Sequence, residues 1–279
     1  MKRRTLLALG LIACTPAQAC TRVAEVRLHL IDGYPIVTAT LAGRPVSFIL
    51  DTGAQGMLVT PETAAALPLP LNGLTRVFGT GGSQPARVVG LPGLRLGGAA
   101  MPDLSAPVLS LPVTLDVTPP LAGLLGASLL SRFDLELDVP AGRITLWTPG
   151  DCTTPHGTML PMEVSRAGEP FIPVRINGQP LLALLDTGSR ATILSDTAAQ
   201  RLGLSAPLSA NTAPGVDGTH LPIRHTRVRL ALGDEPPTDT PVSIAPLQLD
   251  RGDMLLGLDQ LSRRPVHILY GRGVAVFGS

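Results

Sequence analysis

Leu41-Ala42-Gly43-Arg44-Pro45-Val46-Ser47-Phe48-Ile49-Leu50-Asp51-Thr52-Gly53-Ala54 is answered, 135 residues later, by Ile176-Asn177-Gly178-Gln179-Pro180-Leu181-Leu182-Ala183-Leu184-Leu185-Asp186-Thr187-Gly188-Ser189. In each block a glycine turn and a proline precede five largely apolar residues that end on Asp-Thr-Gly. A run that is apolar at almost every position belongs to a strand buried on both faces. A lone Asp-Thr-Gly reads as a turn, with the Asp bonding its own backbone. With 15 Asp, 25 Thr and 30 Gly in 279 residues, chance order supplies about 0.14 copies. Two copies at the same place in a repeated block mark an internal duplication.

The repeat extends outward from that block. Leu124-Leu125-Gly126-Ala127 is matched by Leu255-Leu256-Gly257-Leu258 at an offset of 131, and each is followed by a hairpin signal. The hairpins span Phe133 to Trp147, turning at Pro140-Ala141-Gly142, and Val266 to Phe277, turning at Gly271-Arg272-Gly273. Val23 to Leu30, Ile36 to Leu41 and Val228 to Leu232 alternate apolar and polar residues, as half-buried strands do. Short helices are announced by Thr60 before Pro61 to Ala66 and by Ser195 before Asp196 to Gln200, each an N-cap residue. The 30 Gly and 28 Pro punctuate the chain too often for long helices. The predicted fold is all-β, with two pseudo-symmetric lobes at 23–150 and 158–279 and a connector at 151–157.

Two aspartates at equivalent places suggest their own chemistry. Hydrolysing a peptide without a metal or a covalent nucleophile requires that water be activated while the carbonyl is protonated. Two adjacent carboxyls cannot both ionise cheaply, so they share one proton. The ionised partner takes a proton from water and the neutral one donates to the developing oxyanion. A pseudo-twofold axis suits this task because it sets two equivalent turns face to face.

These motifs resemble the pepsin and retropepsin superfamily of aspartic proteases. Asp51-Thr52-Gly53-Ala54 is similar to the retropepsin form and Asp186-Thr187-Gly188-Ser189 to the pepsin form, and the two Leu-Leu-Gly elements match the family's second marker. The resemblance covers nearly all of the chain beyond its first twenty residues. It implies two β-barrel lobes with a cleft between them, Asp51 and Asp186 as the catalytic pair, and Thr52 and Thr187 bonded across the lobe interface. Gly53 and Gly188 let amide groups approach the carboxylates, with Ala54 and Ser189 completing the two turns. A Ser189 hydroxyl donated to Asp186 would make Asp186 the ionised partner and Asp51 the protonated one, since Ala54 has no such donor.

Glycine-rich loops supply the expected lids. Phe78-Gly79-Thr80-Gly81-Gly82 follows Asp51 at the interval of a flap, and Gly215-Val216-Asp217-Gly218 occupies the matching stretch of the second copy. No helix pattern follows Gly79 to Gly82, so a phosphate-binding reading fails. Both tyrosines, Tyr34 and Tyr270, lie outside these loops, so the flap tyrosine of pepsin has no counterpart.

The remaining features point to export and to no other chemistry. Lys2, Arg3 and Arg4 precede the apolar run Thr5 to Ala13, too short to span a bilayer but right for a signal peptide. Cleavage after Ala17-Gln18-Ala19 would remove residues 1–19, whereas Leu11-Ile12-Ala13-Cys14 resembles a lipobox that would remove 1–13 and lipidate Cys14. Cys20 and Cys152 are then a candidate disulfide in an oxidising compartment, closing a loop for which chain entropy gives about 4–5 kcal/mol. No prosegment is evident between Cys20 and the first strand signal. The formal charge of +1, from 22 basic against 21 acidic residues, leaves no electrostatic footprint for nucleic acid. His220 and His225 stand five apart, on opposite faces of a strand, and the other histidines are scattered, so no metal site is expected. Asp116, Asp134, Asp138 and Asp253 read as solvated carboxylates, and Arg251-Gly252-Asp253 as a turn. The expectation is an exported aspartic endopeptidase, periplasmic or lipid-anchored, monomeric, cofactor-free, acting on peptides or proteins and touching membrane only through a lipid anchor. The alternative on the same fold is a non-catalytic periplasmic peptide-binding or scaffolding protein.

Overall fold

The apolar runs that end on Asp-Thr-Gly become the central strands of two similar halves. A computed structural model of the protein describes residues 20–79, 82–150, 155–214 and 220–278. The first half runs β1 (Arg22–Ile31), β2 (Tyr34–Leu41), β3 (Arg44–Leu50), β4 (Leu58–Val59), α1 (Pro61–Ala66), β5 (Leu71–Gly79), β6 (Gly82–Gly90), β7 (Arg95–Leu96), β8 (Ala99–Ala100), β9 (Ser105–Pro107), β10 (Leu121–Leu125), α2 (Ala127–Leu130), β11 (Asp134–Asp138) and β12 (Arg143–Trp147). The second runs β13 (Gly157–Pro161), β14 (Glu163–Val164), β15 (Pro170–Ile176), β16 (Gln179–Leu185), β17 (Ile193–Ser195), α3 (Asp196–Arg201), β18 (Leu208–Pro214), β19 (His220–Leu232), β20 (Thr238–Ala245), β21 (Met254–Leu256), α4 (Leu258–Leu261), β22 (Val266–Leu269) and β23 (Val274–Gly278). The fold is all-β and two-lobed, as the sequence implies. Both helix caps form, with Thr60 Oγ1 accepting from the Thr63 amide and Ser195 Oγ from that of Ala198.

In the second half β15-β16-β21-β17-β20-β19 closes into a barrel through the β15–β19 pairing. The first half repeats the ring more loosely. A single bridge, Val59 to Val108, stands where β17 pairs β20. Its long hairpin strand is interrupted between β6 and β7, where Pro92 lacks the amide a ladder needs. The second half has Val228 at the matching step, and β19 runs unbroken. The β5–β6 hairpin therefore stands in a separate three-stranded sheet with β9.

The halves are joined by a six-strand run, β13-β23-β22-β11-β12-β1, whose order is palindromic under the repeat. At its centre β11 and β22 pair antiparallel with Glu136 opposite His267. One hydrophobic cluster runs through both halves, from Val26 and Phe48 to Leu185 and Phe277, so apolar burial continues across the seam.

Three of the four carboxylates read as solvated prove otherwise. Asp134 is fully buried, and its two oxygens accept the amides of Gly271 (2.8 Å) and Gly150 (3.4 Å). Asp138 is buried, holds the Ala141 amide at 3.0 Å and pairs with Arg143 at 2.6 Å. Asp253 accepts the Leu182 amide at 2.9 Å and pairs with Arg201 at 2.6 Å. Asp116 is exposed. Cys20 is disulfide-bonded; Cys152, its expected partner, lies outside the described residues, as does Cys14.

The Leu-Leu-Gly elements position the aspartate loops. Asp51 N donates to Leu125 O at 3.0 Å, and Asp186 N to Leu256 O at 3.1 Å. The first amides of α2 and α4 donate to the Ala54 and Ser189 carbonyls at 2.8 Å. Such approach leaves no room for a side chain: a Cβ at Gly126 would overlap the Gly56 carbonyl oxygen, and one at Gly257 that of Ala191. Gly126→Ala and Gly257→Ala are each expected to cost at least about 3 kcal/mol in urea unfolding. Losses below about 1 kcal/mol would show that these contacts do not hold the loops.

Candidate active site

Asp51 and Asp186 come together across the seam. Each carboxyl sits against the glycine of the opposite tripeptide, so that a Cβ at Gly53 would collide with the Asp186 carboxyl and one at Gly188 with that of Asp51. The two carboxyls stand close enough across the seam for the charge of Asp51 to act on Asp186. Asp51 Oδ1 accepts the amides of Gly53 (3.1 Å) and Ala54 (2.9 Å); Asp186 Oδ1 accepts those of Gly188 (2.9 Å) and Ser189 (3.0 Å). Four amides therefore fix the two carboxyls in orientation.

The threonines between them lock the loops. Thr52 Oγ1 donates to the Leu185 carbonyl (2.5 Å) and accepts the Thr187 amide (3.1 Å). Thr187 Oγ1 donates to the Leu50 carbonyl (2.8 Å) and accepts the Thr52 amide (3.0 Å). Both side chains are buried, so all four backbone groups take their partners from the opposite lobe.

Burial and mutual proximity set the electrostatics. Both aspartates are pushed above the usual carboxylate range by desolvation, against which the loop amides act. Asp186 rises well above it, driven by burial and then by the charge of Asp51, while Asp51 keeps partial exposure. The expected donation from Ser189 to Asp186 is not made. The Ser189 hydroxyl donates to the Ala191 carbonyl at 2.7 Å rather than to Asp186, so it does not favour ionised Asp186. Burial and the charge of Asp51 both oppose ionisation of Asp186.

A family model described as Aspartyl protease matches residues 37–129 and again 172–260, together more than half of the chain. The chain belongs to the aspartyl protease family. Each match carries one Asp-Thr-Gly and one Leu-Leu-Gly, so the two segments are two copies of the family's unit. Among curated relatives, DNA damage-inducible protein 1 of Yarrowia lipolytica is 35% identical over 96 residues, 33% of this chain and 23% of that protein. Protein DDI1 homolog 2 of Homo sapiens is 35% identical over 112 residues, 39% of this chain and 27% of its own length. Protein DDI1 homolog 1 of Bos taurus is 32% identical over 109 residues, with shares of 39% and 28%. The chain thus spans about a quarter of the length of these curated relatives.

The lid segments are only partly described. Phe78 and Gly79 pair with Ser83 and Gly82 at the end of the β5–β6 hairpin. Thr80 and Gly81 lie outside the described residues, as do Gly215, Val216, Asp217 and Gly218, which fall in sequence between β18 and β19.

Sequence reasoning missed three neighbours of the pair. Tyr34, outside both glycine loops, has its phenol raised by burial, an effect that Arg190 opposes and the nearby charge of Asp51 adds to. Arg190, four residues past Asp186, crosses the seam to lie over the Tyr34 ring at 5.3 Å and to donate to the Asp32 carbonyl at 3.4 Å. Thr192 braces the second loop alone, accepting the Gly257 amide (3.2 Å) and donating to Asp259 (2.8 Å), where the first copy has Met57. The departures of Arg190 from Gln55 and of Thr192 from Met57 were the available signal.

Thr52→Val or Thr187→Val leaves a buried amide and carbonyl without partners, and is expected to cost about 2–4 kcal/mol in chemical denaturation, with Ser restoring most of it. An unchanged midpoint would mean the threonines do not clamp the lobes.

Asp186→Asn tests the buried charge through stability. A carboxyl whose folded pKa is raised stabilises fully below its unfolded value, ordinarily 3.8, and loses that contribution as pH rises through the folded value. The Asn variant is therefore expected to melt a few degrees above the native protein at neutral pH, the gain vanishing toward pH 4. A gain independent of pH, or a loss at neutral pH, would contradict the assignment.

Proposed function

We propose that the protein is an aspartic endopeptidase in which Asp51 and Asp186 jointly activate water. The observation that carries this reading is the meeting of two carboxyls at the seam, each oriented by two amides and held against the glycine of the other's loop. Asp51, ionised, takes a proton from the attacking water while protonated Asp186 gives its proton to the scissile carbonyl oxygen. A tetrahedral diol results, with Asp51 now protonated and Asp186 ionised. Collapse returns the first proton from Asp51 to the leaving nitrogen and the second from a diol hydroxyl to Asp186, restoring the pair. Bringing both proton transfers into one fixed site supplies the rate, since every group is already oriented.

The substrate is an extended peptide or unfolded protein segment, paired along its main chain with the two hairpins. The two lobes, 23–150 and 158–279, each contribute one aspartate, and the monomer is sufficient. The basic, apolar and Ala-x-Ala or lipobox sequence of residues 1–20 and the disulfide at Cys20 support export to an oxidising compartment, with or without a lipid anchor.

Cleavage of an unfolded protein, followed by mass spectrometry of the products between about pH 3 and pH 7, tests the reading. Cleavage is expected to fall by about four orders of magnitude or more in Asp51→Asn and in Asp186→Asn, and to be blocked by pepstatin. Cleavage surviving in Asp51→Asn would refute the pair's role; binding of the same substrate without cleavage by the native protein would establish the peptide-binding alternative.

A further inference from the structure

Neither glycine-rich lid carries a tyrosine, yet a phenol stands at the seam, brought there by a different element. Ile31 and Tyr34 close β1 and β2 around Asp32 and Gly33, whose φ values of 50° and 79° are left-handed, as a two-residue hairpin turn requires. This turn meets the loop that carries Asp186. In that loop Gly188 lies against the Asp51 carboxyl, and two residues on Arg190 packs its Cδ beside Gly33. Arg190 also donates from Nη1 to the Asp32 carbonyl at 3.4 Å and lays its guanidinium over the Tyr34 ring, 5.3 Å from the centroid. A guanidinium at that distance attracts the ring face, so the phenol is held from the opposite lobe. Under the repeat offset of 135 the second copy has Glu169 in place of Tyr34 and the first has Gln55 in place of Arg190. The arrangement therefore exists on one flank of the seam.

The Tyr34 ring is fixed while its hydroxyl stays open to a ligand. Tyr34 is half-buried, but its hydroxyl, unlike that of Tyr270, is not shut off from solvent, and it has no hydrogen-bond partner among the described residues. Burial raises the phenol, with Arg190 opposing and Asp51 adding to the rise, so the hydroxyl stays protonated throughout the acid and neutral range. A protonated phenol is a hydrogen-bond donor. The charge of Asp51 disfavours an anionic acceptor beside it. An extended peptide offers a neutral one at every residue, its main-chain carbonyl.

We propose that the Tyr34 hydroxyl donates a hydrogen bond to a main-chain carbonyl of the bound peptide, with Arg190 as the positioning residue that orients the phenol from the opposite lobe. The inference deepens the peptidase reading, on which its choice of a peptide ligand rests. It makes the grip on the peptide asymmetric, since the second copy has no phenol at the matching place. It also makes that grip depend on the joined lobes, because the ring comes from one and the guanidinium from the other.

Binding is measured apart from turnover, on the full chain carrying Asp186→Asn, by the fluorescence anisotropy of a labelled unfolded protein, reduced and carbamidomethylated lactalbumin. Adding Tyr34→Phe is expected to raise Kd about tenfold, the loss of one hydrogen bond. The melting temperature is expected to stay unchanged, since the ring and its guanidinium contact remain. Arg190→Met is expected to raise Kd by a similar factor, to be largely rescued by Arg190→Lys, and to add little once Tyr34→Phe is in place, as residues acting as one unit do. With Asp186 restored, Tyr34→Phe is expected to raise KM for cleavage of the same protein while kcat changes little. An unchanged Kd in Tyr34→Phe, no binding at all, or a loss seen in Tyr34→Ala but not in Tyr34→Phe would overturn the inference. A tenfold loss of binding in a protein that cleaves nothing would uphold the hydroxyl contact and count against the peptidase reading alone.

Discussion

Everything at the seam depends on the crossed pairs of bonds made by Thr52 and Thr187. Two buried carboxyls in contact repel when both ionise, so the lobes would part at this point unless something stronger held them. Each threonine hydroxyl donates to a backbone carbonyl of the other lobe and accepts a backbone amide from it, which satisfies four groups that could find no water there. Because the bonds are made by the residues directly after the aspartates, the same contact that joins the lobes also fixes where the carboxyls stand. The continuous apolar core on both sides adds burial but no direction; the threonines supply the direction.

Symmetry accounts for the framework and its breakdown accounts for the chemistry. The loops, the Leu-Leu-Gly supports and the central β11–β22 pairing repeat in both halves. The copies diverge where function needs two different carboxyls. Thr192 and Asp259 brace the second loop, Met57 fills the same place in the first, and Asp186 ends more buried than Asp51. Burial, and then the charge of Asp51, push Asp186 well above the ordinary carboxylate range. Two positions before Thr192, Arg190 closes one flank of the seam, and Gln55 leaves the other open.

Much of this was legible in the sequence because it is local. Five apolar residues ending on Asp-Thr-Gly form a buried strand and its turn wherever they occur, and Thr60 and Ser195 cap helices by bonds that span three residues. The meeting of residues 51 and 186 was legible for another reason: a duplicated motif implies a twofold arrangement. What could not be read depends on distant partners. Asp134 is buried because amides at 150 and 271 converge on it, and no nearby residue signals their arrival. Tyr34 reaches Asp51, and Arg190 reaches Tyr34, only once the lobes are joined. Ser189 misled because its hydroxyl had two acceptors within reach; the backbone carbonyl two residues on prevails over the carboxyl, which the loop amides already satisfy.

The central claim is that residues 51 and 186 form one titrating unit across the lobe seam. Carbon-13 NMR of the aspartate carboxyls measures this without substrate or turnover. Asp186 is expected to titrate well above the ordinary carboxylate range and to move down when Asp51 is replaced by Asn, since the neighbouring charge is then removed. An Asp186 resonance that titrates in the ordinary range, or one indifferent to residue 51, would contradict the account.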